Sequence, residues 1–155
     1  MIDFPSIVNR TATRAHHPAM SKKRALQDAS ELLAIAQPAL NSRATFDQLL
    51  ARERLGSTGL GDGVAIPHCR LEEVPRAIGG MITLAEPVDF DASDGQPVDL
   101  MFVLVVPHEG REVHLQMLAE LARVFASADN RACLRAAASD DALYDALCSM
   151  LAAGE

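Results

Sequence analysis

The run VDLMFVLVVPHEGREVHLQMLAELARVF, Val98 to Phe125, decides the fold. From Leu100 to Val106 every residue is apolar, with no alternation of polar and apolar positions. That pattern belongs to a strand covered on both faces, since a half-exposed strand would show a period of two. The period then changes. His114, Met117, Leu118, Leu121, Ala122 and Phe125 recur at i, i+3, i+4 spacing, which predicts a helix from about Glu112 to Ala126 with this stripe inward. A buried strand feeding an amphipathic helix is the repeating unit of an α/β fold.

Reading outward, the other segments agree. Ser21 is a good N-cap, and Leu26, Ala29, Leu32, Leu33 and Ala36 form a helical stripe that Pro38 stops. A second helix is predicted to open at Thr45, with Gln48 at capping-box spacing, to carry Phe46, Leu49 and Leu50 inward, and to end near Gly56. Gly56, Gly59, Gly61 and Gly63 then punctuate a loop before the apolar run Val64-Ala65-Ile66, and Ala77 to Leu84 reads as a strand. Two shorter helices, near Arg131 to Ala138 and from Ser139 to Leu151, close the chain. Helices precede, separate and follow the strands, so a single α/β layered domain is expected. Residues 1–20 are expected to be loosely structured, with His16 and His17 on the surface.

Composition narrows the function. The chain has 155 residues and a formal net charge of −7, with one Tyr and no Trp. An acidic surface lacks the lysine and arginine grip on phosphate backbone, and there is little to stack on bases, which argues against sequence-independent nucleic-acid binding. No apolar stretch reaches the ~18 residues of a membrane span, and the start, MIDFPSIVNR, lacks a cationic lead into an apolar run. Cys69, Cys133 and Cys148 cannot all pair with one another, and no CxxC occurs, which fits a reduced, cytoplasmic compartment.

Two histidines are the candidates for chemistry. His68 follows Val64-Ala65-Ile66-Pro67 and is placed at the carboxyl end of a short strand. His114 begins the core-facing stripe of the helix after the central strand, in its first turn, where unpaired N–H groups favour anions and disfavour an imidazolium. Ligands in open α/β sheets gather beyond the carboxyl ends of strands, within reach of both. Arg52, just before the glycine-rich loop, offers a planar cation, and Ser57, Thr58 and the Gly59 backbone offer donors to an anion. Each residue alone has a plainer reading: a polar end of a core face, a structural histidine, a solvated arginine, a turn. Arg54 is read as a solvated charge.

The combination is more specific. LLARERLGSTGLGDGVAIPH (Leu49 to His68), FDASDGQPVDLMFVLVVP (Phe90 to Pro107) and HLQMLAELARVF (His114 to Phe125) resemble, in order, the enzyme IIA family of the bacterial phosphotransferase system. The nitrogen-related regulatory branch is the most similar, and fructose- and mannitol-type relatives share its fold. The resemblance runs from about Ser21 to Leu151 and implies one IIA type 2 domain over 21–155, a mixed β-sheet flanked by helices on both faces. It implies that His68 is phosphorylated on Nε2, that His114 stabilises the phosphoryl group, and that Arg52 contacts it. Ser57, Thr58 and Gly59 would form the phosphate-binding loop. No cofactor or metal is implied. Cys69 stands where the family usually has glycine, and Arg10 to Met20 matches nothing in it.

The reaction implied is phosphoryl transfer from a phosphohistidine on an HPr-like carrier, with regulation rather than metabolism as its purpose. The regulated partners would be proteins such as potassium-transport regulators or a stringent-response synthetase. A sugar-specific, fructose- or mannitol-type IIA component is the alternative. Two other classes are weighed on residues alone. A zinc module on His68, Cys69, His108 and His114 lacks paired ligand spacing, and adjacent strand residues point apart. A Cys69/His nucleophilic enzyme requires a reactive thiol.

Overall fold

In the computed structural model, which describes residues 3–72 and 74–153, the chain forms one layered α/β body. Its elements are α1 (Phe4–Ile7), β1 (Arg14–His17), α2 (Lys22–Ala36), α3 (Ser42–Leu55), β2 (Gly59–Gly61), β3 (Val64–Ala65), β4 (His68–Arg70), β5 (Ile78–Val88), β6 (Val98–Val106), α4 (Arg111–Ala126), α5 (Ala128–Ala136) and α6 (Asp140–Ala153). The sheet runs β1-β5-β6-β3-β2, with β4 also paired to β6. β5 is antiparallel to β6, whereas β3 and β4 are parallel to it, so the sheet is mixed.

The central strand shows why it reads as unbroken apolar sequence. Leu100, Phe102, Leu104 and Val106 enter one core with Met117, Leu121, Val124 and Phe125 of α4 and Leu143, Leu147 and Leu151 of α6. Met101, Val103 and Val105 enter a second core with Leu26, Ala29 and Leu33 of α2 and Phe46 and Leu49 of α3. Period-two alternation is present, and both phases are buried.

β3 and β4 are one strand in a single register. Val64 is opposite Leu100, Ala65 opposite Met101, His68 opposite Leu104 and Cys69 opposite Val105. Pro67 supplies no N–H, yet its carbonyl still accepts the Leu104 N–H at 2.9 Å and holds the ladder together. His68 therefore opens β4 and does not end the strand before it.

Several boundaries differ from those expected: α5 starts at Ala128 and ends at Ala136, β5 runs on to Val88, and α3 starts earlier. The cap of α3 is Asn41, whose side chain accepts the Ala44 N–H at 2.9 Å, while Thr45 lies one turn inside with its hydroxyl donated to the Asn41 carbonyl. Asn41 satisfies the capping chemistry equally well and starts the helix earlier. The N-terminal segment is also ordered into elements. Phe4, Ile7 and Val8 are buried in the α4/α6 core, and β1 pairs in parallel with β5. Close approach at Gly80 permits this packing: a Cβ there would lie 2.6 Å from Ala12 Cβ and nearer still to the Ala12 carbonyl oxygen. His16 is exposed, but His17 is half-buried, its Nε2 2.8 Å from the Asp28 carboxylate on α2.

Candidate functional site

A pocket of about 540 Å³ opens where β4 and β6 end, between the last turns of α3 and the first turns of α4. His68, Arg52 and His114 all line it, so the topology brings together three residues far apart in sequence. Strand alternation explains how. His68 pairs with Leu104, on the face that α4 covers, whereas Cys69 pairs with Val105, on the face that α2 and α3 cover. α3 overhangs the strand end from the opposite layer and brings in Arg52.

The His68 ring is fixed by one hydrogen bond. Its Nδ1 lies 2.7 Å from the Ile66 carbonyl oxygen. A carbonyl only accepts, so Nδ1 carries the proton and Nε2 keeps its lone pair. Burial pushes the His68 pKa below its ordinary value near 6.5, and the charges of Arg52 and Arg70 push the same way. The Ile66 carbonyl and Glu53 oppose that shift in part. The ring is neutral at neutral pH, with Nε2 as its nucleophilic atom.

His114 is 6% exposed. Burial, and then the charge of Arg70, lower its pKa as well. Its Nδ1 has no hydrogen-bond partner among the described residues. A buried, unpaired ring nitrogen costs about 1–3 kcal/mol, an unusual thing to leave in the first turn of a helix. Gly110, at φ 79, begins that helix without a capping side chain, and its carbonyl accepts the His114 N–H at 3.1 Å.

The glycine-rich loop does something other than offer free hydroxyls. The Ser57 hydroxyl donates to the Phe90 carbonyl at 2.7 Å and accepts the Gly59 N–H at 3.0 Å. Thr58 gives both its hydroxyl and its N–H to Glu53. None of Ser57, Thr58 and Gly59 is among the residues lining the pocket, and both hydroxyls are held by partners of their own. A Cβ on Gly59 would come within 2.9 Å of Ala92 Cβ, so its glycine serves packing.

Glu53, which the sequence reading passed over, anchors this loop. It is buried, and Lys22 Nζ lies 2.8 Å from its carboxylate. Lys22 also donates to the Phe90 carbonyl at 3.3 Å. A carboxylate inside a run of helix charges, ARERL, carries no mark of burial, and the clue would have been its i+5 relation to Thr58. Arg52 donates to the Gly56 carbonyl at 2.9 Å and so closes the end of α3 while bordering the pocket.

The pocket is basic in an acidic protein. Arg52, Arg70 and Arg111 line it with His68, His108 and His114, and among the described residues no Asp or Glu joins them. Arg70 and Arg111 were missed because nothing in the sequence distinguishes them from other surface arginines. The residues weighed for zinc do not form a ligand set: His68 and Cys69 face opposite layers, and among the described residues no group of three or more His, Cys, Asp or Glu is placed to hold an ion. Burial pushes the Cys69 thiol up to about 12, which removes the thiolate a nucleophilic enzyme would need. None of the described helices is long and apolar enough to cross a membrane.

Comparison with known proteins agrees with this architecture. The model of the family described as "Phosphoenolpyruvate-dependent sugar phosphotransferase system, EIIA 2" matches residues 6–150, starting inside the segment where the sequence alone predicts no element. The chain is 44% identical over 144 residues to the nitrogen regulatory protein of Pseudomonas aeruginosa, covering 93% of this chain and 94% of that one. It is 46% identical over 146 residues to the nitrogen regulatory protein of Escherichia coli K12, covering 92% and 88%. The crystal structure of nitrogen regulatory protein IIA-Ntr from Neisseria meningitidis superposes with a TM-score of 0.86 at 39% identity, over 93% of this chain and 98% of that chain. On the strength of the sequence match and the shared architecture, the chain belongs to the EIIA type 2 family of the phosphoenolpyruvate-dependent phosphotransferase system.

Proposed function

We propose that His68 accepts a phosphoryl group on Nε2 from a phosphohistidine on an HPr-like carrier, and that this state regulates partner proteins in the cytoplasm. The observation that carries the reading is the Nδ1–H bond to the Ile66 carbonyl, which leaves the Nε2 lone pair on a side chain that borders a basic pocket.

The step balances without a cofactor. The P–N bond to the carrier ring breaks as the bond to His68 Nε2 forms, and the carrier leaves as a neutral imidazole. Positive ring charge passes to His68, which keeps its proton on Nδ1. The Ile66 carbonyl then holds an imidazolium-like N–H, a stronger bond than before transfer, and Glu53 favours the same charge. Arg52 and His114 supply fixed positive or donating groups for the phosphoryl oxygens. His114 can afford an unpaired nitrogen in the resting state because its ring is neutral and needs to reorganise little. Both ends of the transfer are phosphohistidines, so the step is reversible.

Similarity to nitrogen regulatory proteins favours a regulatory role over sugar import. The regulated partners are of the class expected from the family, potassium-transport regulators or a stringent-response synthetase. The test is to mix the protein with enzyme I, an HPr-like carrier and phosphoenolpyruvate. Acid-labile, base-stable label is expected in the wild type and absent from His68→Ala. Label persisting in that variant would remove His68 as acceptor. His114→Ala should slow transfer or shorten the lifetime of the phosphorylated form, and an unchanged variant would leave His114 a structural part only. Efficient passage of the label to a sugar-system IIB domain would favour the transport reading.

A further inference from the structure

We propose that Arg70 is a second phosphate-binding cation, reaching the phosphoryl group on His68 from the same strand while Arg52 reaches it from α3. This rests on the reading of His68 given above.

Three observations place it there. His68 and Arg70 are two apart on β4, so their side chains leave the same face of the sheet, with Cys69 turned to the other. Two strand residues span roughly 6.6 Å, well within the reach of an extended arginine from its own Cα to a group on the His68 ring. Arg70 lines the pocket together with His68, Arg52 and His114. Finally, Arg70 is exposed and makes no ion pair or side-chain hydrogen bond among the described residues, whereas Arg52 spends a donor on the Gly56 carbonyl. Arg111, across the pocket, is likewise without a partner among the described residues, but of these two Arg70 is the one carried on the same strand face as His68. Its charge acts in the same direction as burial at both histidines, lowering their pKa.

A phosphoryl group on Nε2 has three oxygens to satisfy. One planar cation that is already committed to a helix end cannot serve them all, and a second, free guanidinium adds up to two further charge-assisted bonds. Among the described residues Arg70 has no partner to give up, so engaging it breaks no contact there. It would bind the product of transfer more strongly than the empty pocket.

The test uses a small donor, so that it does not depend on any carrier. Full-length wild type, His68→Ala, Arg70→Gln and Arg70→Lys are phosphorylated with phosphoramidate, which releases ammonia as the P–N bond to histidine forms. The phosphoryl titration is then followed by phosphorus NMR. The expected result is a phosphorus signal that depends on His68 and whose phosphoryl group binds its proton roughly three- to tenfold more tightly in Arg70→Gln, with Arg70→Lys between that variant and wild type. An Arg70→Gln titration superimposable on wild type would overturn the role of Arg70 and leave the His68 reading intact. Absence of any His68-dependent signal in wild type would overturn both. Unchanged amide spectra of unphosphorylated Arg70→Gln are expected, since the side chain holds nothing in place; widespread shifts would assign it a structural role and contradict the proposal.

Discussion

At the residue scale the chemistry turns on which nitrogen of His68 holds the proton. The Ile66 carbonyl settles it, and burial keeps the ring neutral. A consequence follows for pH. Because the folded pKa is lowered, the initial rate of phosphoryl acceptance should stay level as pH falls through 6.5 and decline only at more acidic values. A decline centred at or above 6.5 would mean that the ring is not desolvated. Stability follows with a definite sign. The unfolded chain takes up protons near pH 6.5 that folded His68 and His114 refuse. Unfolding free energy should therefore fall as pH drops below that point, and level off once the folded rings also protonate. Cys69 makes a separate prediction. With its thiol raised to about 12, it should resist iodoacetamide at neutral pH while exposed Cys133 reacts first, as peptide mass mapping would show. Cys69→Gly should still accept phosphate, at a stability loss of about 1–2 kcal/mol from lost burial and a strand glycine.

At the element scale the site depends on a loop tied to a buried carboxylate. Glu53 takes the Thr58 hydroxyl and N–H and the Lys22 ammonium, and Lys22 and Ser57 both reach the Phe90 carbonyl. Removing one partner leaves a buried charge uncompensated, so Lys22→Met should destabilise the protein by about 3 kcal/mol in chemical denaturation. A loss below half a kcal/mol would show that solvent reaches Glu53 after all. This network was not legible in the sequence, because Ser57 and Thr58 look like free donors until their partners are known. β6 and α4 were legible for a physical reason: two layers bury both phases of one strand, and the α4 stripe repeats over several turns. α1 and β1 have four residues each, too few for any period to register, and only their contacts with β5 and α6 reveal them. The two histidines could be singled out from motif order. Arg70 could not, until β4 was known to be a strand and i+2 became a statement about faces.

On the scale of the whole molecule, charge is distributed unevenly. The chain carries −7, yet among the described residues the pocket is lined by three arginines, three histidines and no carboxylate. Phosphorylation of His68, as proposed, would add roughly −1.5 to −2 at this basic pocket and so would change the local potential far more than the net charge. A partner that docks at this face should discriminate between the two states, with an affinity difference that shrinks as salt rises. Titration calorimetry of the two forms against one regulated partner at low and high ionic strength measures this; equal affinities would place the regulatory contact elsewhere. The described N-terminal segment packs onto the same sheet and core. Gly80→Ala, which would drive a Cβ into Ala12, should lower the unfolding midpoint markedly, and an unaffected midpoint would show that this segment can lift away.

The central claim is that Nε2 of His68 is the atom that takes the phosphoryl group. Nitrogen–phosphorus coupling in the phosphorylated, 15N-histidine-labelled protein reads this directly. The account predicts one coupled histidine, His68, with the coupling at Nε2 and a protonated Nδ1. Coupling at Nδ1, or at any other histidine, would contradict it.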